Sequence, residues 1–216
     1  MPLFPLNREF VFPAVELADA DGLLAIGGDL QPQRLLLAYK HGIFPWYTEP
    51  PVLWWCPDPR FILMPDELRI SRSMQKVFKK KQFDFTVNKA FNQVIKHCKT
   101  VNRAGQTGTW ITEEMEEAYI NLHRLGFAHS SEAWMNGELV GGMYGIKLGK
   151  VFFGESMFST ATNASKFVFI KYVEELKREG VKLFDCQVYT SHLESLGARM
   201  LPRKDFTKIL RQLIPT

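Results

Sequence analysis

The fold is decided by Ala128–Phe158, AHSSEAWMNGELVGGMYGIKLGKVFFGESMF. Ala128 to Trp134 and Leu139 to Lys147 flank Met135-Asn136-Gly137-Glu138, whose Asn-Gly pair is a strong tight-hairpin signal. Gly149-Lys150 then turns the chain into Val151 to Phe158, completing a three-strand meander. Upstream, Thr112 caps a helix with Glu113 and Glu114 in its first turn, and Met115, Ala118, Tyr119, Leu122 and Leu125 recur at helical spacing before Gly126. Before it, Phe83 to Val87 alternates like a strand, and Asn88 is expected to cap a helix through Cys98 with Phe91, Val94 and Ile95 inward. Downstream come a helix from Ala164 to Glu179, stopped by Gly180, a strand around Asp185, a short helix from His192 to Leu196 and a last strand near Met200. The order β-α-α-β-β-β-α-β-α-β predicts an α+β domain, a mixed sheet flanked by helices.

The first sixty residues differ in kind. Proline, glycine and tryptophan crowd into the segment from Gly22 to Phe61, and one helix is readable there, with Asp29 as its cap, Pro32 in its first turn, Leu35, Leu36 and Tyr39 on its apolar face and Gly42 as its stop. The prolines at 45, 50, 51, 57 and 59 confine the rest to turns and extended chain. We expect a small N-terminal domain over residues 1–62 and the α+β domain over 63–216.

Composition narrows the function classes. No apolar stretch approaches the roughly 20 residues of a membrane span, and the N-terminus lacks a cationic region followed by an apolar run, so a cytoplasmic protein is expected. Cys56, Cys98 and Cys186 are odd in number and without a CxxC spacing, and the five histidines show no metal-ligand pairing, so neither a disulfide framework nor a metal is expected. Charge is uneven. From Arg69 to Arg103 ten Lys/Arg face a single acid, Asp84, whereas the whole chain carries only +4. A patch of this density suits a phosphate backbone, and Arg72, Lys76, Lys79, Lys80 and Lys81 are its candidate contacts; the plainer reading is a solvated face.

Candidate chemistry comes from acids inside apolar strands. In Lys182–Val188, KLFDCQV, residues two apart share a face, so Asp185 and Gln187 are neighbours while Phe184, Cys186 and Val188 face the other way. Glu155 is similarly embedded among aromatics in VFFGESMF. Burying an ionised carboxylate without partners is costly, so these acids meet either internal donors or a cationic ligand.

The element order resembles the acetyltransferase superfamily fold called GNAT. That superfamily holds coenzyme A phosphates on a glycine-bearing loop before the helix that follows the meander. Here the place reads Ser159-Thr160-Ala161-Thr162-Asn163-Ala164-Ser165, with no glycine for close backbone approach, and no coenzyme A or other cofactor is expected. Read in order, GLLAIGGDL, GIFPW, WWCPDPR, GTWI, AHSSEAW, LVGGMYG, GESMFS, ASK, DCQ and SLGA resemble the leucyl/phenylalanyl-tRNA–protein transferase family from about Phe10 to Phe206. Cys56 stands where that family more often has serine, and Tyr172 where a phenylalanine can line the amino-acid pocket.

The resemblance implies transfer of leucine or phenylalanine, less readily methionine, from leucyl-tRNA or phenylalanyl-tRNA to proteins beginning with arginine or lysine, marking them for degradation. It implies that Gln187 presents its amide oxygen to the attacking amine with Asp185 orienting it, or that Asp185 binds the incoming cation itself. Glu155 would hold the basic side chain of the acceptor's first residue. Met143, Phe153, Met157 and Tyr172 match positions of the amino-acid pocket, and Trp46 and Trp110 match tryptophans that contact the 3′ adenosine. Each of these apolar residues also has a plain core reading. An acetyl-coenzyme A dependent N-acetyltransferase and a non-catalytic tRNA-binding module are the rival functions. A monomer is expected, with no membrane partner.

Overall fold

A computed structural model describes residues 3–100 and 111–215. The meander takes the form its sequence predicts: β7 (Ala128–Met135), β8 (Glu138–Leu148) and β9 (Val151–Ser159) pair antiparallel in sequence. Asn136 and Gly137 at the first corner both have positive φ, 53° and 81°, as a two-residue hairpin with matched twist requires. Around it grows a seven-stranded sheet. β6 (Asp84–Val87) borders β7, while β10 (Leu183–Gln187) lies beside β9 in parallel, and β5 (Arg60–Leu63) then separates β10 from β11 (Arg199–Leu201). β5 straddles the division expected at residue 62.

Helices cover both faces. On one side α2 (Arg72–Lys79) and α5 (Ala164–Arg178) close over Phe152, Met143 and Phe184. α5 buries eight side chains, each large one stabilising by about 1.5–3 kcal/mol. The other face meets α3 (Phe91–Thr100), α4 (Glu113–Arg124) and the N-terminal segment, whose α1 (Pro32–Lys40) contacts α4. That segment carries its own small sheet of β1 (Phe4–Leu6), β2 (Leu23–Gly27), β4 (Leu53–Trp55) and β3 (Phe44–Pro45), in that spatial order. Its residues Leu24, Tyr39 and Trp54 share one core with Tyr119, Ile146 and Phe153. The chain ends in α6 (Ser191–Glu194), β11 and α7 (Arg203–Leu213). This is the mixed sheet flanked by helices expected of a GNAT-like α+β domain with a small N-terminal part.

Several local readings change. The basic stretch after residue 69 is the helix α2, capped by the Ser71 hydroxyl and burying Met74 and Val77. Thr112 caps α4 as expected, accepting from the Met115 N–H. Asn88 caps nothing: it sits at φ 58° and its side chain accepts from Ser130 N–H across to β7. Asp29 likewise lies two residues before the α1 cap, and forms an ion pair with the buried Arg34.

Candidate active site

Two β-bulges on adjacent strands assemble the site. Between β8 and β9, Tyr144 faces Ser156 and Gly145 faces Gly154, which leaves Glu155 as the extra residue. Between β10 and β5, Asp185 faces Ile62 and Gln187 faces Phe61, which leaves Cys186 extra. A bulge bends its strand and re-aims side chains. The parallel pairing of β9 and β10 stops at Asp185 and Phe153, and the continuations of both strands line a cavity of about 380 Å³. Gly145 makes the close approach possible, since a Cβ there would come within 2.1 Å of the Phe153 carbonyl oxygen.

Glu155 reaches into a nest of donors. Its Oε1 accepts from the Tyr39 hydroxyl at 2.7 Å and from Gln187 Nε2 at 2.7 Å, and its Oε2 accepts from the Tyr119 hydroxyl at 2.9 Å. The two tyrosine oxygens are themselves 2.5 Å apart. Burial pushes the Glu155 carboxyl up to about 7; the tyrosine and glutamine hydrogen bonds oppose that rise and the charge of Asp185 adds to it. Burial, joined by the charge of Glu155, holds both tyrosines well above the ordinary phenol range. Near neutrality Glu155 is therefore a carboxyl poised between its two states.

Asp185 lies deeper. It is fully buried and accepts both arms of Arg60, Nε at 2.8 Å and Nη2 at 2.7 Å. The guanidinium stacks between the rings of Phe44 and Phe206, 4.7 and 4.8 Å from their centroids. Asp185 Oδ1 also accepts the backbone N–H of Gln187 at 2.9 Å. Gln187 itself has φ 62°, and Val188 N–H bonds back to the Cys186 carbonyl at 2.8 Å. That is a γ-turn with positive φ at its centre, a rare and strained conformation.

Of the expected residues, Glu155, Gln187, Trp46, Met143 and Met157 come together on the cavity wall. Asp185 does not: it stands behind Gln187, and both its oxygens are taken by Arg60, so of its two possible roles the geometry fits orientation of Gln187 rather than contact with a cation. Phe153 faces the opposite side of the sheet, its ring 5.1 Å from Tyr39. Tyr172 points into the core under α5, edge-on to Phe152 at 5.1 Å. The turn of α5 that meets the cavity carries Ser165 and Phe169 instead. Trp110 lies outside the described residues. Trp46 is 39% exposed and lies beside Trp55.

A family model described as leucyl/phenylalanyl-tRNA protein transferase matches residues 62–211, and the model of that family's N-terminal domain matches residues 28–58. The chain belongs to the leucyl/phenylalanyl-tRNA protein transferase family. A leucyl/phenylalanyl-tRNA–protein transferase of Syntrophus aciditrophicus is 56% identical over 213 residues, which is 98% of this chain and 89% of that protein. One from Flavobacterium johnsoniae is 56% identical over 210 residues, 97% of this chain and 99% of that protein. Among solved structures, FemX superposes with a TM-score of 0.50 at 10% identity, covering 82% of this chain and 70% of FemX, a likeness of fold alone.

In this transferase the five candidate phosphate contacts form an exposed surface. Arg72, Lys76, Lys79 and Lys80 follow one side of α2 and its end, and Lys81 continues them at φ 48°. Among the described residues no helix is long and apolar enough to cross a membrane, and no group of three His, Cys, Asp or Glu is placed to hold a metal. The candidate site also contains residues that sequence alone does not mark: Arg60 follows a proline-rich segment of turns and extended chain, and Tyr39 and Tyr119 occupy apolar positions of their helices. A buried tyrosine needs a partner for its hydroxyl. Two of them on inward helix faces, in a chain with acids inside its strands, were the available signal.

Proposed function

We propose that this family member transfers leucine or phenylalanine from the 3′ end of aminoacyl-tRNA to the N-terminal amine of proteins beginning with arginine or lysine. One observation supports the reading best: a cavity walled largely by apolar side chains also carries the hydrogen-bonded Gln187–Glu155 pair. Its walls include Met143, Met157, Phe169, Phe184 and Leu193, which suit an apolar side chain unbranched at Cβ, and adaptable methionines suit both leucine and phenylalanine. Trp46 supplies a partly exposed indole on which the terminal adenine can stack, worth about 1–3 kcal/mol.

The aminoacyl ester is already activated, so the chemistry needs position and electrostatics more than a covalent intermediate. Because Gln187 gives its Nε2–H to Glu155, the amide oxygen is left as an acceptor for an N–H of the incoming amine. The amine lone pair attacks the ester carbonyl carbon and a C–N bond forms. The C–O bond to the tRNA sugar then breaks, and that oxygen takes the proton the amine loses. Asp185 acts as a positioning residue. Glu155, ionised, draws the basic side chain of the acceptor's first residue to this end of the cavity. The acceptor stem lies on the α2 surface, and the protein works as a monomer in the cytoplasm.

Transfer of labelled leucine from leucyl-tRNA to two peptides that differ only in beginning with arginine or alanine tests this. Label on the arginine peptide alone is expected. Label on neither, with tRNA still bound, would leave the non-catalytic RNA-binding reading in its place.

A further inference from the structure

We infer that Arg60 on β5 is a positioning residue for the transfer reaction, acting on Gln187 through Asp185, both on the sequence-distant β10. The inference rests on the transfer reading above. Three observations meet at this residue.

The first is the direction of the contacts. Arg60 holds the Asp185 carboxylate in a two-pronged grip, and the oxygen nearest Nε is the same Oδ1 that accepts the Gln187 N–H. Rotation of that carboxylate would release the N–H, and with it the turn that sets where the Gln187 amide points. The second is strain. A non-glycine residue at φ 62° in a γ-turn persists only where its surroundings over-determine it. Here the surroundings are the Asp185 oxygen on one side of the turn and the Glu155 carboxylate on the other. The third is cost. A fully buried ion pair stabilises a fold no better than well-packed apolar residues of similar volume. This one also leaves Arg60 Nη1 without a protein acceptor among the described residues. Stability alone gives no reason for such a pair, whereas fixing one carboxylate rotamer does, since the planar fork of arginine specifies orientation where lysine would supply only charge.

Arg60 also couples the substrate cavity to the rest of the molecule. Phe44, one of its stacking partners, lines the cavity next to Pro45 and Trp46, and Phe206, the other, belongs to α7. The same guanidinium thus holds the N-terminal segment, β10 and the C-terminal helix in one register, with the acceptor amide at its focus.

The test uses the full chain with leucyl-tRNA and an arginine-initiated peptide, in two variants. In Arg60→Lys the charge stays and the fork is lost. The expected result is a fall in kcat of roughly 100-fold, the scale of a misplacement of about 1 Å, with KM for both substrates within about twofold of wild type, because Arg60 touches neither. The second variant, Arg60→Met with Asp185→Leu, replaces the pair by apolar residues and is expected to regain the urea midpoint of the wild type while kcat stays low. A double variant that folds and turns over within about threefold of wild type would overturn the inference and make Arg60 purely structural. So would an Arg60→Lys protein that loses stability but keeps kcat at low temperature. Failure of the wild-type chain to transfer leucine would instead remove the transfer reading, and this inference with it.

Discussion

Tyr119→Phe is the sharpest probe of the poised carboxyl. Tyr119 is the sole donor described on Glu155 Oε2, whereas Oε1 keeps Tyr39 and Gln187. The substitution deletes one O–H and leaves the ring in the core beside Tyr144. A hydrogen bond to a charged acceptor contributes about 1.5–3 kcal/mol, and one pH unit corresponds to about 1.36 kcal/mol, so the Glu155 pKa rises by about 1–2 units. In the wild type it lies at about 7, so in the variant the acidic limb of the rate profile moves to about pH 8–9. At pH 7 the ionised fraction drops from about one half to about 1–9%, and the rate falls by about 5- to 50-fold. Above about pH 10 the two proteins converge. The assay is single-turnover transfer of leucine to an arginine-initiated peptide, taken as the ratio of variant to wild type at each pH. That ratio cancels titration of the acceptor amine, which is common to both. Stability moves in a defined direction too. The folded pKa lies above its ordinary 4.5, so the contribution of Glu155 to stability is complete below about 4.5 and is lost as pH rises through about 7; in the variant the loss extends to higher pH. A pH-independent ratio, or a limb displaced downward, would refute the claim that Glu155 works as a carboxylate held by the tyrosines.

Three further outcomes are expected. Replacing Lys79, Lys80 and Lys81 together by glutamine should weaken tRNA binding and lower the magnitude of the slope of log K against log salt by about 2–3; a filter-binding titration with an unchanged slope would move the stem elsewhere. Met157→Phe narrows the cavity and should raise the preference for leucine over phenylalanine by about 10-fold or more, read from competing aminoacyl-tRNAs, with equal losses for both donors counting against the pocket assignment. Gly145→Ala forces a Cβ within 2.1 Å of the Phe153 carbonyl oxygen, so β9 must shift; a thermal melt should show a loss of 1–3 kcal/mol or so, and no loss would mean that the bulge relaxes freely.

The parts of this molecule that were legible in sequence share one property: their signal is local. The Asn136-Gly137 corner, the Thr112 cap and a strand over Phe83–Val87 each depend on a few adjacent residues, and each reappears in the structure, the strand over Asp84–Val87 and without its alternation, since Val87 is exposed. What escaped depends on contacts between distant segments. Arg60 reads as one more residue in WWCPDPRF until Asp185, 125 positions away, is brought to it. The α2 helix was hidden because lysines outnumber Met74 and Val77, although those two lie three apart as an inward face requires. α7 was missed for a similar reason, its inward Phe206 and Leu210 lying in a segment crowded with charge at Arg203, Lys204, Asp205, Lys208 and Arg211. Asp185 and Gln187 are neighbours, as strict alternation predicts, but the bulge between them breaks the alternation: Gln187 joins Phe184, Cys186 and Val188 on the cavity wall while Asp185 stands behind. No periodicity argument sees that bulge, and it gives Gln187 its γ-turn. Phe153 and Tyr172 show the limit of matching by position: each sits on the right element, but on the side that faces the core.

The insertion of β5 between β10 and β11 has a consequence for how the protein is made. Arg60 emerges from the ribosome well before the carboxylate it must meet, 125 positions further on, a stretch that takes about 6–25 s to synthesise at about 5–20 residues per second. Throughout that interval the strand has neither neighbour, and burying its guanidinium alone would be prohibitive. The nascent N-terminal segment therefore has to wait, solvated, until β10 and then α7 arrive. A chain interrupted before residue 185 lacks both that carboxylate and Gln187, so the paired strands of the candidate site close only in the last stretch of synthesis.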